Sequence, residues 1–220
     1  MRTSARILAI TLISTLAGCA ATPHRSDYAE FRTENPRSIL VVPPTNKSVD
    51  VNAPDYFLAT IAIPLAERGY YVFPVNMVRS VLADDGLSDA NLVHSGDPRR
   101  LGQLFGTDAV LYISIERWDA KYVVLSTTVT VELNYSLKSA HTGHELWKDH
   151  RVVKYSPQNS SSANPLAALI ADVVSAAVTK AAPNYMPLAR QANNQAIYTK
   201  RTGVPAGPHD SLFLKDVSDF

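Results

Sequence analysis

The chain has 220 residues, 46% of them hydrophobic and 19% charged, with a formal net charge of +1. That length buries a real core in one or two domains, and the composition excludes both a disordered chain and a bundle of membrane spans. A balanced charge provides no concentrated basic face, so nucleic acid is not an expected partner.

The amino terminus reads as an export signal. Arg2 and Arg6 form a positive n-region, and an apolar stretch runs from Ile7 to Leu16. It falls short of the roughly 20 residues that span a bilayer and has the size of a signal-peptide h-region. Leu16-Ala17-Gly18-Cys19 follows and resembles the lipobox of bacterial lipoproteins. Cys19 is the only cysteine, so it has neither an internal disulfide partner nor fellow thiolates for a zinc site. The expectation is cleavage of residues 1–18 and lipidation of Cys19. Cleavage takes Arg2 and Arg6 from the 21 basic residues and no acidic one, leaving 19 against 20 and a charge of −1. Ala20 stands where an Asp holds such lipoproteins at the inner membrane, so it resembles an outer-membrane sorting signal. Residues 19–37 are polar with two prolines and read as the lipidated Cys and a tether.

A single globular domain is expected over 38–200. Residues 38–44, Ser-Ile-Leu-Val-Val-Pro-Pro, read as a buried strand leaving into a polar loop over 45–51. Pro54-Asp55 opens a helix carrying Tyr56, Phe57, Leu58, Ile61 and Leu65, with a kink or break expected at Pro64 and a stop at Gly69. Residues 70–75 read as a second strand. Asn76 is the expected cap of a short helix over 77–83, and 84–96 as loop or broken helix. Asp97-Pro98 caps another helix over 99–105, ended by Gly106. The first half is therefore β-α-β-α-α, a mixed α/β layer.

The second half reads as an antiparallel meander. A strand covers 109–118. Residues 123–138 alternate, with Val123, Leu125, Val129, Val131, Leu133, Tyr135 and Leu137 on one face and polar residues on the other. His141-Thr142-Gly143-His144 is the turn, and 145–155 returns as the partner strand. A polar loop over 156–163 leads to an amphipathic helix with the stripe Leu166, Leu169, Ile170, Val173, Val174, Ala177 and Val178. A second helix is expected over 186–198, and both C-terminal helices should pack on the sheet. Residues 201–220, rich in Gly and Pro, read as a flexible tail.

No nucleophile elbow, P-loop, dinucleotide fingerprint or His-Glu-x-x-His helix is present in the sequence, and no cofactor is expected. Ser114 and Ser175 sit in apolar patterns and read as packed residues. Asp84 and Asp85 read as solvated. His141, His144 and His150 share one hairpin, but His144 and His150 lie about 20 Å apart along a strand, too far to share an ion. No metal site is expected. Tyr112, Trp118, Tyr122, Tyr135, Trp147 and Tyr155 all fall in the meander. Sheet packing is their commoner use, but on an exposed face Trp118 and Trp147 would bind a partner. The helix over 166–182 also carries an alanine flank, with only Asp172 and Lys180 charged between Pro165 and Ala182. Ala168, Ala171 and Ala176 are candidate contacts for a second copy or another protein, unless the chain itself buries that flank.

Leu16–Cys19, the strand from Ile39 to Pro44, Gly69-Tyr70-Tyr71-Val72-Phe73-Pro74, Gly106 to Leu111 and Thr142-Gly143-His144-Glu145-Leu146-Trp147 together resemble a family of Gram-negative lipoproteins first noted as meningococcal surface-antigen candidates. The family's fold is similar to the N-terminal domain of TolB and the periplasmic domain of the secretion lipoprotein CsgG. The resemblance covers residues 16–200 and brings no established activity. It implies a non-enzymatic outer-membrane lipoprotein facing the periplasm, attached to the membrane through Cys19. Its domain would bind envelope proteins, as an accessory to secretion or envelope assembly, and homo-oligomers are compatible with this. An activator of peptidoglycan synthesis, a carrier of a small apolar ligand and an unrecognised hydrolase stand as alternatives.

Overall fold

The computed structural model describes residues 26–123, 126–155 and 185–220. In chain order the elements are α1 (Ala29–Glu34), β1 (Ser38–Val41), β2 (Thr45–Asn46), α2 (Ala53–Glu67), β3 (Tyr71–Val72), α3 (Val75–Asp84), α4 (Ala90–Ser95), α5 (Pro98–Phe105), β4 (Ala109–Val123), β5 (Ser126–Ser139), β6 (Glu145–Tyr155) and α6 (Met186–Tyr198). The strands form one mixed sheet in the order β3-β1-β4-β5-β6, with β2 paired to β4 beyond the end of β1. β1 runs parallel to β3 and β4, and β4, β5 and β6 are antiparallel neighbours.

The pattern of each strand follows from what covers it. Ile39, Leu40, Val41 and Val42 are all buried because β1 is central and has helices on both faces. On β5, Val129, Val131, Leu133, Tyr135 and Leu137 are buried on one face, while Glu132, Asn134, Ser136 and Lys138 take the other. α2 and α6 cover the apolar face through Phe57, Ile61, Leu65, Leu188, Ala192 and Ala196. On the opposite face, Val78, Leu82, Val93 and Leu101 from α3, α4 and α5 pack on Leu40, Val42 and Val110. A polar chain crosses the main core. The Tyr135 hydroxyl donates to Asn193 Oδ1 (2.7 Å), Asn193 Nδ2 donates to Thr60 Oγ1 (2.9 Å), and Thr60 Oγ1 donates to the Phe57 carbonyl (2.7 Å). Each buried polar group there has a partner, as burial requires.

Two segments expected to be loose are packed. Within the expected tether, Tyr28 at the cap of α1 and Phe31 inside it are both buried. The expected flexible tail is fixed on one side of the molecule, with Val204, Ala206, Asp216 and Phe220 buried. Its organiser is Arg68, buried at the end of α2. Its Nη2 lies 2.7 Å from Asp216 Oδ2, its Nε donates to the Val204 carbonyl at 2.8 Å, and its guanidinium stacks 5.1 Å from the Phe220 ring centroid. Asp216 also accepts from the Ala206 amide (2.8 Å). Gly69 makes this approach possible. Its φ is +88°, and a Cβ there would lie 2.3 Å from the Asp210 nitrogen. α1 closes on the same segment. The Tyr28 hydroxyl donates to the Gly203 carbonyl (2.6 Å), Arg32 donates to the Phe220 backbone oxygen, and the Tyr28 and Phe220 rings meet edge to face at 5.7 Å.

Other boundaries differ by local rules. α2 continues through Pro64 to Glu67, because Leu65 beyond the proline is buried in the core. β3 keeps only two residues, since Pro74 precedes α3 and takes the cap position expected of Asn76. Within 84–96, α4 forms behind Asp89, whose carboxylate accepts from the Asn91 amide. β4 runs five residues past Trp118, to Val123.

Candidate functional site

The residues following β1 leave the sheet at its carboxyl end through Pro43 and Pro44, and return into α2 at Ala53. Between them, Asn46, Ser48, Asp50 and Asn52 brace the backbone. Asn46 Nδ2 donates to the Asp50 carbonyl (2.8 Å), the Ser48 amide and hydroxyl donate to Asn46 Oδ1 (3.0 and 2.7 Å), and the Asn52 amide donates to Asp50 Oδ1 (2.9 Å). Such side chain to backbone bonds are the ordinary chemistry of Asn, Ser and Asp in turns. The base of the loop is tied to β4. Thr45 pairs with Ser114, the Lys47 amide donates to the Ile115 carbonyl (2.9 Å), and Lys47 Nζ reaches Glu116 at 2.8 Å. Glu116 sits where the β4–β5 register shifts. A bulge of this kind re-aims a side chain, and here Glu116 gathers Lys47, Ser114 and Asn134. The hydrogen bond from Lys47, with those from Ser114 and Asn134, holds its carboxyl below the ordinary value against the opposing effect of burial.

At the tip of this braced loop stand Val49 and Val51, 92% and 84% exposed. Beside it opens a cleft of about 490 Å³ between the start of α2 and the end of α3, walled by Pro43, Pro44, Pro54, Leu58, Leu82 and Leu87. Asp55 and Arg79 pair across its rim at 2.6 Å. The cleft lies outside the carboxyl end of β1, the place where open α/β sheets bind ligands. His94 on α4 ties to the start of the loop, with Nε2–H donating to the Pro43 carbonyl at 3.0 Å. Burial holds the His94 pKa below its ordinary value, so the ring stays neutral near pH 7. The chemistry of these walls suits an apolar side chain or segment fastened by a charged rim.

Residues 26–209 match the profile of the GNA1162-like family, described as "Putative lipoprotein GNA1162-like". The chain belongs to the GNA1162-like lipoprotein family. "Putative lipoprotein NMB1124/NMB1162" of Neisseria meningitidis serogroup B (strain ATCC BAA-335 / MC58) is 35% identical over 208 residues, which cover 92% of this chain and 94% of that protein. The crystal structure of lipoprotein GNA1162 from Neisseria meningitidis superposes with a TM-score of 0.56 at 37% identity, covering 66% of this chain and all of that one.

Within this GNA1162-like fold the residues singled out from sequence separate. Trp118 and Trp147 are core residues, 1% and 3% exposed, and neither offers surface to a partner. Trp118 packs against Tyr185 (5.7 Å between ring centroids), and Trp147 Nε1 donates to the Thr202 carbonyl (2.7 Å). Their alternation within β4 and β6 turns both toward α6. Tyr112, Tyr135 and Tyr155 are buried as well. Ser114, expected to be packed, instead lies half-buried on the polar sheet face and donates to Glu116. Asp84 and Asp85 are exposed at the end of α3. The three hairpin histidines face different carboxylates: His141 toward Asp108 (3.5 Å), His144 toward Glu30 (3.7 Å) and His150 toward Glu132 (3.0 Å). Cys19, Ala20, Ala168, Ala171, Ala176 and Ser175, with the helix expected over 166–182, lie outside the described residues. Among the described residues no helix is long and apolar enough to cross a membrane. The braced loop went unrecognised because it reads as polar. Its signal is the period of two, Asn46, Ser48, Asp50 and Asn52, with the valines between them.

Proposed function

We propose that this GNA1162-like lipoprotein is a non-enzymatic accessory protein of the outer membrane, acylated at Cys19. It holds its domain in the periplasm and binds a protein of a secretion or envelope-assembly complex through the loop over 45–52 and the cleft beside it. The observation that carries this reading is that a loop braced by its own side chains exposes Val49 and Val51, while the prolines on either side of it, Pro44 and Pro54, line a cleft with apolar walls and a charged rim. A loop ordered in advance loses little entropy on binding, so two exposed valines become useful contact area. The position supports the same reading. Coming from Cys19, the chain enters through α1 and reaches the amino end of β1, where the Arg37 and Ser38 amides donate to Asp108 (2.9 and 3.0 Å). The loop stands at the carboxyl end of that strand, so an anchored domain turns it away from the lipid.

The test is a photo-crosslinking amino acid placed at 49 or 51 in cells, with exposed Asn194 on α6 as the control site. A discrete adduct from 49 and 51, absent from 194, is expected. The double variant Val49→Asp/Val51→Asp, monitored from a third site on the rim such as Ser88, should keep its circular dichroism spectrum and lose the adduct. Equal labelling from all sites would overturn the reading.

A further inference from the structure

We propose that the outer edge of the C-terminal segment, Leu212, Leu214 and Val217, lies on the bilayer that carries the acyl anchor and so sets how the domain stands on the membrane. The inference rests on acylation of Cys19 and adds a second, non-covalent contact to it.

The argument begins with reach. The Ser26 amide donates to the Arg201 carbonyl at 3.0 Å, which fixes where the chain from Cys19 joins the folded body. From Cys19 to Ser26 there are seven residue steps. At no more than about 3.6 Å each, they hold that junction within roughly 25 Å of the anchor. α1 begins at Ala29, and its six residues extend only about 9 Å. Phe31, Arg32 and Asn35, on α1 or just past it, form one wall of a small cleft of about 110 Å³. Leu214 and Val217 form the other. The apolar edge is therefore tied to the same side of the molecule as the tether and within its reach.

The edge itself has the composition of an interfacial contact. Leu212, Leu214 and Val217 are 49%, 68% and 49% exposed, three apolar residues within six positions. Arg201 and Lys215 are exposed on the same C-terminal segment, while Lys200 pairs with Asp219 (3.0 Å) and Arg32 donates to the Phe220 backbone oxygen. Apolar residues flanked by Lys and Arg are what a membrane surface takes up. Leu214 adds a geometric point. Its φ is +59°, a left-handed conformation uncommon for a leucine. The segment beneath it is over-determined by Arg68, Asp216 and Phe220, so the exposed leucine is held out in one orientation. Scattered exposed apolar residues are ordinary on any surface. What sets these apart is that a short tether keeps them beside a bilayer.

The experiment uses nitroxide labels on Leu214→Cys, Val217→Cys and, as an aqueous reference, Val51→Cys. In the mature lipoprotein the introduced thiol is the one free to react once Cys19 is acylated. Reconstituted into phosphatidylethanolamine–phosphatidylglycerol vesicles, labels at 214 and 217 should lose access to an aqueous nickel chelate and gain access to oxygen, while 51 stays aqueous. In a second arm, a chain from Ala20 that retains every described residue is held by an N-terminal hexahistidine tag on zinc-chelating vesicles, whose diamagnetic metal leaves the nitroxide signal unaffected. This reproduces the tether without the acyl group. Protection of 214 and 217 in this arm supports the membrane contact even if fatty-acid labelling shows Cys19 to be unmodified, which would sink the anchoring reading alone. Labels that remain as accessible as 51 in both arms overturn the proposal. So does protection already present in solution without vesicles, which would mean that a second copy covers this edge.

Discussion

Arg68 and Asp216 are both buried and depend on each other. Arg68→Met keeps much of the packing against Phe220 but leaves the Asp216 carboxylate without its partner inside the protein. Breaking such a pair from one side costs about 3–5 kcal/mol, so the urea midpoint should fall by a large part of the domain's stability. Asp216→Asn, which keeps an acceptor for the Ala206 amide, should cost less. An unchanged midpoint in Arg68→Met would show that the segment beyond residue 200 does not hold the fold together. Asp108 offers a pH test. Burial tends to raise its pKa. Hydrogen bonds from the Arg37 amide, the Ser38 hydroxyl and amide, and His141 outweigh this, and the net shift is downward. A depressed carboxylate pKa stabilises the fold above its unfolded value near 3.9, and that contribution is lost as the pH falls through the folded value. Asp108→Asn should therefore lower stability at pH 7 by roughly 1–3 kcal/mol, and the difference from the parent should shrink as the pH falls below 4. None of these pairings was legible in the sequence. Arg68 and Asp216 are 148 positions apart, and Ser38 and Asp108 are 70 apart. No local pattern links charges across such distances.

The elements with strong periodicity were legible because one physical cause sets both their pattern and their place. β5 alternates because a helical layer buries one face and water wets the other. The helix expected over 186–198 spans those residues because Leu188, Ala189, Ala192, Ala196 and Ile197 repeat at helical spacing and are all buried in the main core. The weaker elements were not. α1 has six residues, and its buried Phe31, with Tyr28 just before it, gains its burial from residues 203–220 rather than from neighbours in sequence. The candidate loop was read as polar linker because its bracing side chains are polar, and the use of the valines between them depends on what they face. Two glycines test how tightly the elements meet. At Gly69, Ala would add a Cβ 2.3 Å from the Asp210 nitrogen at a positive φ. At Gly102 on α5, the added Cβ would lie 2.5 Å from the Ala140 carbonyl oxygen. Gly69→Ala combines left-handed strain with overpacking and should cost roughly 2–4 kcal/mol. Faster proteolysis between 203 and 220 is expected as that segment is pushed away. Gly102→Ala should instead loosen α5 from the β5–β6 turn, read as faster amide exchange at Ala140 to Gly143.

At the scale of the whole molecule, the order of the longer helices and strands, the mixed sheet and the family were readable, while α1 and β2 were not. Each rests on chain-length patterns that survive small errors in element boundaries. The location proposed for the protein rests on two residues. Cys19→Ser should abolish incorporation of labelled fatty acid and leave unprocessed or soluble protein, and equal labelling of the variant would refute the lipobox. Ala20→Asp should move the protein from the outer to the inner membrane fraction on a sucrose gradient. An unmoved peak would refute the sorting signal.

The closure of α1 on residues 201–220 has a consequence for biogenesis. Under the proposed export, Tyr28, Phe31 and Arg32 would be among the first folded residues to leave the channel, yet the groups that cover them come after residue 200. Arg68 likewise waits for Val204 and Asp216. The domain cannot seal while its carboxyl-terminal segment is still being threaded. For a chain exported as proposed above, folding is therefore completed only after translocation, and until then the emerging chain shows its unburied aromatics to whatever holdases and proteases stand at the exit.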